Sequence, residues 1–289
     1  IDGEYILDFV QATLALQRDY GDRKTRRHAR LKYVINDLGI EWFKDEIANK
    51  YFPYPIKEIK AEPSPKLEDY LGWHRQSKNL WFVGIPLLSG RLNPNFKRDL
   101  RNVVEKYQLE LRLTPNQDIL LCNIGKQQKK SVYEDLTLAG VNNPHLTKRL
   151  ERHALACPAL PLCGLAMTEA ERTLPDTLNR IENLLDQLDI KKSILIRITG
   201  CPNGCARPYM AELALVGSGL NQYQLWLGGT PNLQRIAKPY LQKMKIDQLE
   251  STLKPLLISW KERGYRYSFG DHIKKIGEAK TLELLNEKN

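Results

Sequence analysis

Cysteine placement constrains this chain more than any other feature. Four of its five cysteines form two tight pairs, Cys157 with Cys163 and Cys201 with Cys205, in loops rich in proline and glycine. Four thiolates on two short loops can hold a metal ion or a cluster, and such soft ligands select zinc or iron–sulfur over hard cations. Neither pair has the short spacer common in structural zinc sites. Five residues separate the first pair and three the second, and a cubane cluster, larger than a single ion, accepts ligands set further apart. The spacing favours an iron–sulfur cluster, with zinc or unconnected buried thiols as the alternatives. Disulfides are the weakest reading, because an odd cysteine count without a visible secretory segment points to a reducing compartment.

The loops suit that task. Pro158 and Pro161 stiffen the first, and each removes a backbone donor. In the second, Pro202, Asn203 and Gly204 suit a tight turn, with Gly204 free to take a positive φ and Asn203 able to offer an amide hydrogen bond. Ser193 to Ile198 (SILIRI) reads as a strand that delivers the chain into Gly200 and Cys201, placing two ligands at the end of a rigid element.

The rest of the chain alternates helical and strand patterns. Leu174 to Leu188 predicts an amphipathic helix with Leu178, Ile181, Leu184, Leu185 and Leu188 on its inner face, and Thr168 with Glu171 has capping-box spacing. Glu212 to Val216 and Tyr223 to Leu227 read as strands, and Ile246 to Arg263 as a helix. Before the cysteines, Asn79 to Leu88, Glu110 to Leu113 and Asp118 to Ile124 read as strands and Asn95 to Tyr107 as a helix. That order predicts a small α+β unit with a mixed or antiparallel sheet. Residues 51–68 contain four prolines and read as a linker.

Charge is informative at one place. The net charge is +10 with 42% hydrophobic residues, enough to bury one or two cores. No apolar run reaches the length of a membrane-spanning helix. Arg23, Lys24, Arg26, Arg27, Arg30 and Lys32 crowd together without an acid among them, and Arg23, Arg26, Arg27 and Arg30 have the spacing of one helix face. Like charges so placed repel unless an anion meets them. The bland alternative is a solvated helix face; a nucleic-acid patch would need interleaved aromatics that are missing here. Leu31, Val34, Ile35 and Leu38 form an adjacent apolar stripe, with Gly39 as a helix stop. Cys122, in the apolar run ILLCNI, reads as a buried structural thiol. His28, His74, His145, His153 and His272 are too scattered to form a ligand array.

Longer phrases narrow the reading. ACPALPLCGLAMTEAER, ITGCPNGCARPYMAELALVG and QLWLGGTPN closely resemble the C-terminal half of the siroheme-carrying sulfite and nitrite reductases, most of all the ferredoxin-dependent sulfite reductases of cyanobacteria and plastids. The resemblance runs from about Asp22 to Asp271 and is most specific around the cysteines.

It implies an α+β fold of mixed and antiparallel sheets flanked by helices, one half of a pseudo-twofold siroheme reductase. Three parts are expected: a helical segment and linker over 1–68, a ferredoxin-like half-domain over 69–152, and a cluster- and siroheme-binding domain over 153–289. Cys157, Cys163, Cys201 and Cys205 would hold a [4Fe–4S] cluster, with Cys205 bridging it to the siroheme iron and Asn203 near the cluster sulfurs. Arg27, Arg30 and Lys32 would contact siroheme carboxylates or substrate, and Thr114, Asn116 and Gln117 would face the cofactor. The implied activity is six-electron reduction of sulfite to sulfide with reduced ferredoxin as donor. Nitrite reduction is the near alternative and a zinc-stabilised nucleic-acid-binding module the distant one. Relatives run to about twice this length, so an N-terminal half is expected as a further partner. The expected location is the cytoplasm, or the plastid stroma in a photosynthetic eukaryote, with no membrane association.

Overall fold

The computed structural model describes residues 1–57, 67–141 and 147–287. The chain divides into two compact units, Ile1–Pro63 and Ser64–Asn289.

The first unit is helical. Its described elements are α1 (Ile6–Tyr20), α2 (Leu31–Leu38) and α3 (Ile40–Glu46), the last running into a wider turn over Ile47–Tyr51. Ala12, Leu16, Val34, Ile47 and Phe52 form its buried core, and Phe9 meets Phe52 edge-on at 5.2 Å. The apolar stripe of α2 and its stop at Gly39 (φ 94°) match the sequence reading.

The arginine-rich segment does not form the expected helix. Only a short turn covers Arg26–His28, and Arg30 is the residue that caps α2. The Asp22 carboxylate accepts from the amides of Lys24 (2.8 Å) and Thr25 (2.9 Å). This local turn competes with helix for the same backbone donors, and stacked like charges add to the penalty.

The second unit contains two sheets. The smaller joins β1 (Gly72–Arg75), β2 (Leu80–Ile85), β3 (Glu110–Leu113) and β4 (Ile119–Gly125) in the order β1-β2-β4-β3, antiparallel throughout. Helices α4 (Pro94–Tyr107) and α5 (Lys129–Leu138) contribute Leu100, Val103, Val132 and Leu136 to the core with Val83, Leu121 and Ile124. Asn93 caps α4 by accepting from the Phe96 amide at 2.9 Å, with Pro94 in the first turn. The strands and the helix expected here are present; β1 and α5 were not foreseen.

The larger sheet has the order β5-β6-β7-β8-β9, from β5 (Leu155–Ala156), β6 (Ile196–Thr199), β7 (Leu213–Gly219), β8 (Gln222–Leu227) and β9 (Lys238–Lys245). Strands β5, β6 and β7 run parallel, whereas β8 and β9 are antiparallel additions. Leu178, Ile181 and Leu185 of α6 (Leu174–Gln187) and Leu253, Leu256 and Trp260 of α7 (Leu249–Glu262) share a core with Ile196, Ile198, Leu213 and Leu215. The alternate residues Leu195 and Ala214 join Trp226 in a smaller cluster, as the two-residue period of a strand requires. A last helix, α8 (Phe269–Asn286), is bent at Gly277 (φ 81°).

The expected capping box is absent. Thr168 is fully buried and its hydroxyl reaches Tyr223 Oη at 3.4 Å, while α6 begins six residues later without a side-chain cap. Part of the proline-rich linker (58–66) and His145 lie outside the described residues.

Candidate functional site

Parallel pairing explains how the two cysteine pairs meet. Leu155 lies opposite Arg197 and Ala156 opposite Ile198, so β5 and β6 end side by side. Cys157 leaves β5 directly, its amide donating to the Ile198 carbonyl at 3.3 Å, and Gly200-Cys201 leave β6 directly. The carboxyl ends of parallel strands are where α/β sheets commonly place sites.

Gly200 locks the two loops together. Its carbonyl accepts from the amides of Met167 (2.8 Å) and Thr168 (3.3 Å). A Cβ there would stand 2.6 Å from Ala159 Cβ and 2.8 Å from the Thr168 carbonyl oxygen. A Cβ on Gly217 of β7 would stand 2.2 Å from the Gly200 carbonyl oxygen. The close approach of three backbones fixes the cysteine loops on the sheet.

All four motif cysteines are free thiols; Cys157 and Cys201 are buried, Cys163 is half-buried and Cys205 exposed. Cys157 Sγ accepts from Thr199 Oγ1 at 3.4 Å and from the Gly200 amide at 3.3 Å. Donors aimed at sulfur stabilise thiolate and tune a cluster bound through it. Among the described residues no three His, Cys, Asp or Glu side chains are grouped to hold one metal ion. Four unpaired thiols on two locked loops, with donors already on one sulfur, fit the larger cubane by donor chemistry. Gly204 takes φ 69°, as a turn of this kind needs, and a Cβ there would press on the Tyr209 ring at 2.7 Å. Tyr209 Oη donates to the Pro202 carbonyl at 2.5 Å and its ring meets Trp226 at 4.6 Å. Asn203 is exposed at the tip of the same turn.

The turn between β3 and β4 reaches both loops. Gln117 Nε2 donates to the Ala156 carbonyl at 3.2 Å, one residue before Cys157. Arg207 Nη2 donates to the Pro115 carbonyl at 2.8 Å, two residues after Cys205. Thr114 shapes the turn, its hydroxyl accepting from the amides of Asn116 (3.3 Å) and Asp118 (3.1 Å). Gln117 (φ 70°) keeps Oε1 buried without a partner. Asn116 and Thr114 also line a small crevice with Asp118, Arg152 and His153. Burial pushes the Asp118 carboxyl up to about 6 and pulls the His153 imidazole down.

Arg27, Arg30 and Lys32 belong to the first unit, Arg30 as the cap of α2 and Lys32 in its first turn. Lys32 Nζ lies 5.0 Å from the Tyr33 ring centroid. Cys122 is buried in β4, and burial raises its thiol. A cavity of about 880 Å³, bordered by Ile85, Phe96 and Lys148, contains none of the predicted site residues. Sequence reading passed over Thr199, Arg207 and above all Arg197, a charged residue inside SILIRI whose side chain is fully buried. A lone arginine in an apolar strand was the available signal.

Comparison with known proteins adds independent observations. A family model described as the nitrite/sulfite reductase ferredoxin-like half domain matches residues 74–139. One described as the nitrite and sulphite reductase 4Fe-4S domain matches residues 1–55, a stretch that contains no cysteine. A sulfite reductase [ferredoxin] of Synechococcus elongatus is 45% identical over 93% of this chain and 44% of its own length. A sulfite reductase [NADPH] hemoprotein beta-component of Staphylococcus saprophyticus is 35% identical over 96% of this chain and 49% of its own. The chain thus spans about half the length of these curated relatives. A solved structure of Mycobacterium tuberculosis NirA protein superposes with TM-score 0.82 over 98% of this chain and 54% of its own, at 23% identity. That match bears on the fold.

Proposed function

The chain belongs to the nitrite and sulfite reductase family, and from that premise we propose that it supplies the C-terminal half of a ferredoxin-dependent sulfite reductase. The observation that carries the reading is the cysteine arrangement: four unpaired thiols on two loops joined through Gly200, with two donors already on Cys157 Sγ.

Cys157, Cys163, Cys201 and Cys205 would hold a [4Fe–4S] cluster, and Cys205, the exposed one, would also be the ligand shared with siroheme. When bound, the two groups together supply the six-electron reduction of sulfite to sulfide. The residues do the rest. Thr199 and Gly200 donate hydrogen bonds to Cys157 Sγ, and Gln117 and Arg207 hold the β3–β4 turn against both loops. Arg30 and Lys32 sit at the amino end of α2, where unpaired amides add positive potential, and so suit carboxylates or an oxyanion substrate. Anionic substrate and developing charge need such preorganised positive groups. Ferredoxins are acidic, and a chain of net charge +10 would steer them by complementary potential. No helix among the described residues is long and apolar enough to cross a membrane; a cytoplasmic or stromal site of action accords with this reading.

The test is an anaerobic visible spectrum with iron and acid-labile sulfide analysis, on this chain and on a family-length version, followed by turnover with sulfite and nitrite. Siroheme bands with cluster iron and faster sulfite turnover are expected. Zinc in place of iron would overturn the reading, and faster nitrite turnover would move it to nitrite reduction.

A further inference from the structure

Arg197 is fully buried on β6, and its charge has no visible answer. Its Nη1 donates to the Arg207 carbonyl at 3.1 Å. Nε and Nη2 are buried without any partner. Those two nitrogens form the side-on edge of the guanidinium, the edge that meets anions in bidentate fashion. Among the described residues no carboxylate lies within ion-pairing distance of it. Burial, with some repulsion from Arg207, lowers its pKa to about 10, so it stays charged at neutral pH.

A buried, unpaired cation is costly unless a negative charge compensates it. The surroundings say where that charge belongs. Arg197 shares its strand face with Thr199, two residues on, and the Thr199 hydroxyl touches Cys157 Sγ at 3.4 Å. Its guanidinium reaches across to Arg207, which follows Cys205 by two residues. The cation therefore sits on the strand that leads into Cys201, with its guanidinium against the loop that carries Cys201 and Cys205, while Thr199 on the same strand face touches Cys157 of the other pair. Ala214, a small residue, stands opposite it on β7.

We infer that Arg197 is the internal counter-cation of the cysteine-bound cluster, a positioning residue whose buried charge raises the cluster's reduction potential. This rests on the cluster reading above. A four-thiolate cubane carries a net negative charge that grows on taking up an electron. A nearby cation in a medium of low dielectric stabilises the reduced form more than the oxidised form. Removing the cation must then make the cluster harder to reduce.

The test uses full-length protein purified anaerobically, in wild-type, Arg197→Lys and Arg197→Met forms. Iron and sulfide are counted first, and the cluster is then titrated by electron paramagnetic resonance against solution potential. The expected result is a midpoint displaced to more negative potential in R197M and little displaced in R197K. Loss of the cluster in R197M but not in R197K would support the same conclusion, because only the charge differs in kind. A folded, fully loaded R197M with the wild-type midpoint overturns it. So does R197K behaving as R197M, whether in midpoint or in cluster loss, which would mark a packing role for the guanidinium. Wild-type protein with no iron or sulfide would instead remove the cluster reading itself, and the role of Arg197 with it.

Discussion

Arg207 Nη2 and the Pro115 carbonyl meet at 2.8 Å, binding the turn between β3 and β4 of the small sheet to the loop that carries Cys201 and Cys205. Residues 92 positions apart thereby become one wall. The bond has a charged donor but is partly solvated, so its worth is modest. Arg207→Ala should cost about 1 kcal/mol of stability and leave the cysteines in place. Denaturant unfolding would check the first point, and iron content the second.

The four motif cysteines should behave as a set and Cys122 apart from them. Cys157→Ser, Cys163→Ser, Cys201→Ser and Cys205→Ser should each lower iron and sulfide content sharply, because a cubane needs four thiolates. Cys122→Ser should leave metal content unchanged and destabilise the chain by about 1–3 kcal/mol, the cost of a hydroxyl in an apolar strand. Equal metal loss in the Cys122 variant would contradict the assignment.

Glycine substitutions separate crowded from open positions. Gly217→Ala would drive a Cβ to 2.2 Å from the Gly200 carbonyl oxygen, backbone against backbone. We expect a loss of about 3 kcal/mol or more and displacement of the cysteine loops, visible as poor soluble yield and lost cluster absorbance. Gly164→Ala meets nothing within 4 Å and should be neutral within about 0.5 kcal/mol. The pair controls for the general effect of adding a methyl group near the cysteines.

Asp118 gives a pH signature. Its carboxyl is raised from 3.8 to about 6 by burial, against the opposing 3.0 Å hydrogen bond from the Leu87 amide. An acid raised in the folded state carries an extra proton there, so its contribution is fully present below the unfolded value. That contribution is lost as pH rises through about 6. Asp118→Asn keeps the acceptor and removes the titration. The variant should gain up to about 3 kcal/mol over the wild type at neutral pH, with the gap closing toward pH 4. Melting curves across that range would show it; a gap independent of pH would contradict the assignment.

Much of the site was legible in the sequence because ligand chemistry is local. Two cysteine pairs with their proline and glycine spacers declare a soft metal or cluster site, and SILIRI declares the strand that feeds one of them. Strands such as ILLCNI and the helix over Leu174–Gln187 also follow from residue period alone. The arginine-rich segment was misread, because the spacing of Arg23, Arg26, Arg27 and Arg30 fits a helix while Asp22 turns the backbone away from one. Strand β9 and helix α8 were missed: β9 exposes both faces over much of its length, and α8 is broken by Gly277.

What the sequence determined, then, was the ligand set and the strand and helix periods around it, since these depend on neighbours along the chain. What only the tertiary structure decided was which loops meet and what charge lies beneath them. Parallel pairing of β5 with β6 brings Cys157 beside Gly200 across 43 positions of sequence. Close approach at Gly200 and Gly217 then excludes any side chain there. The same pairing buries Arg197 without a partner, a property of surroundings that no spacing in the sequence expresses.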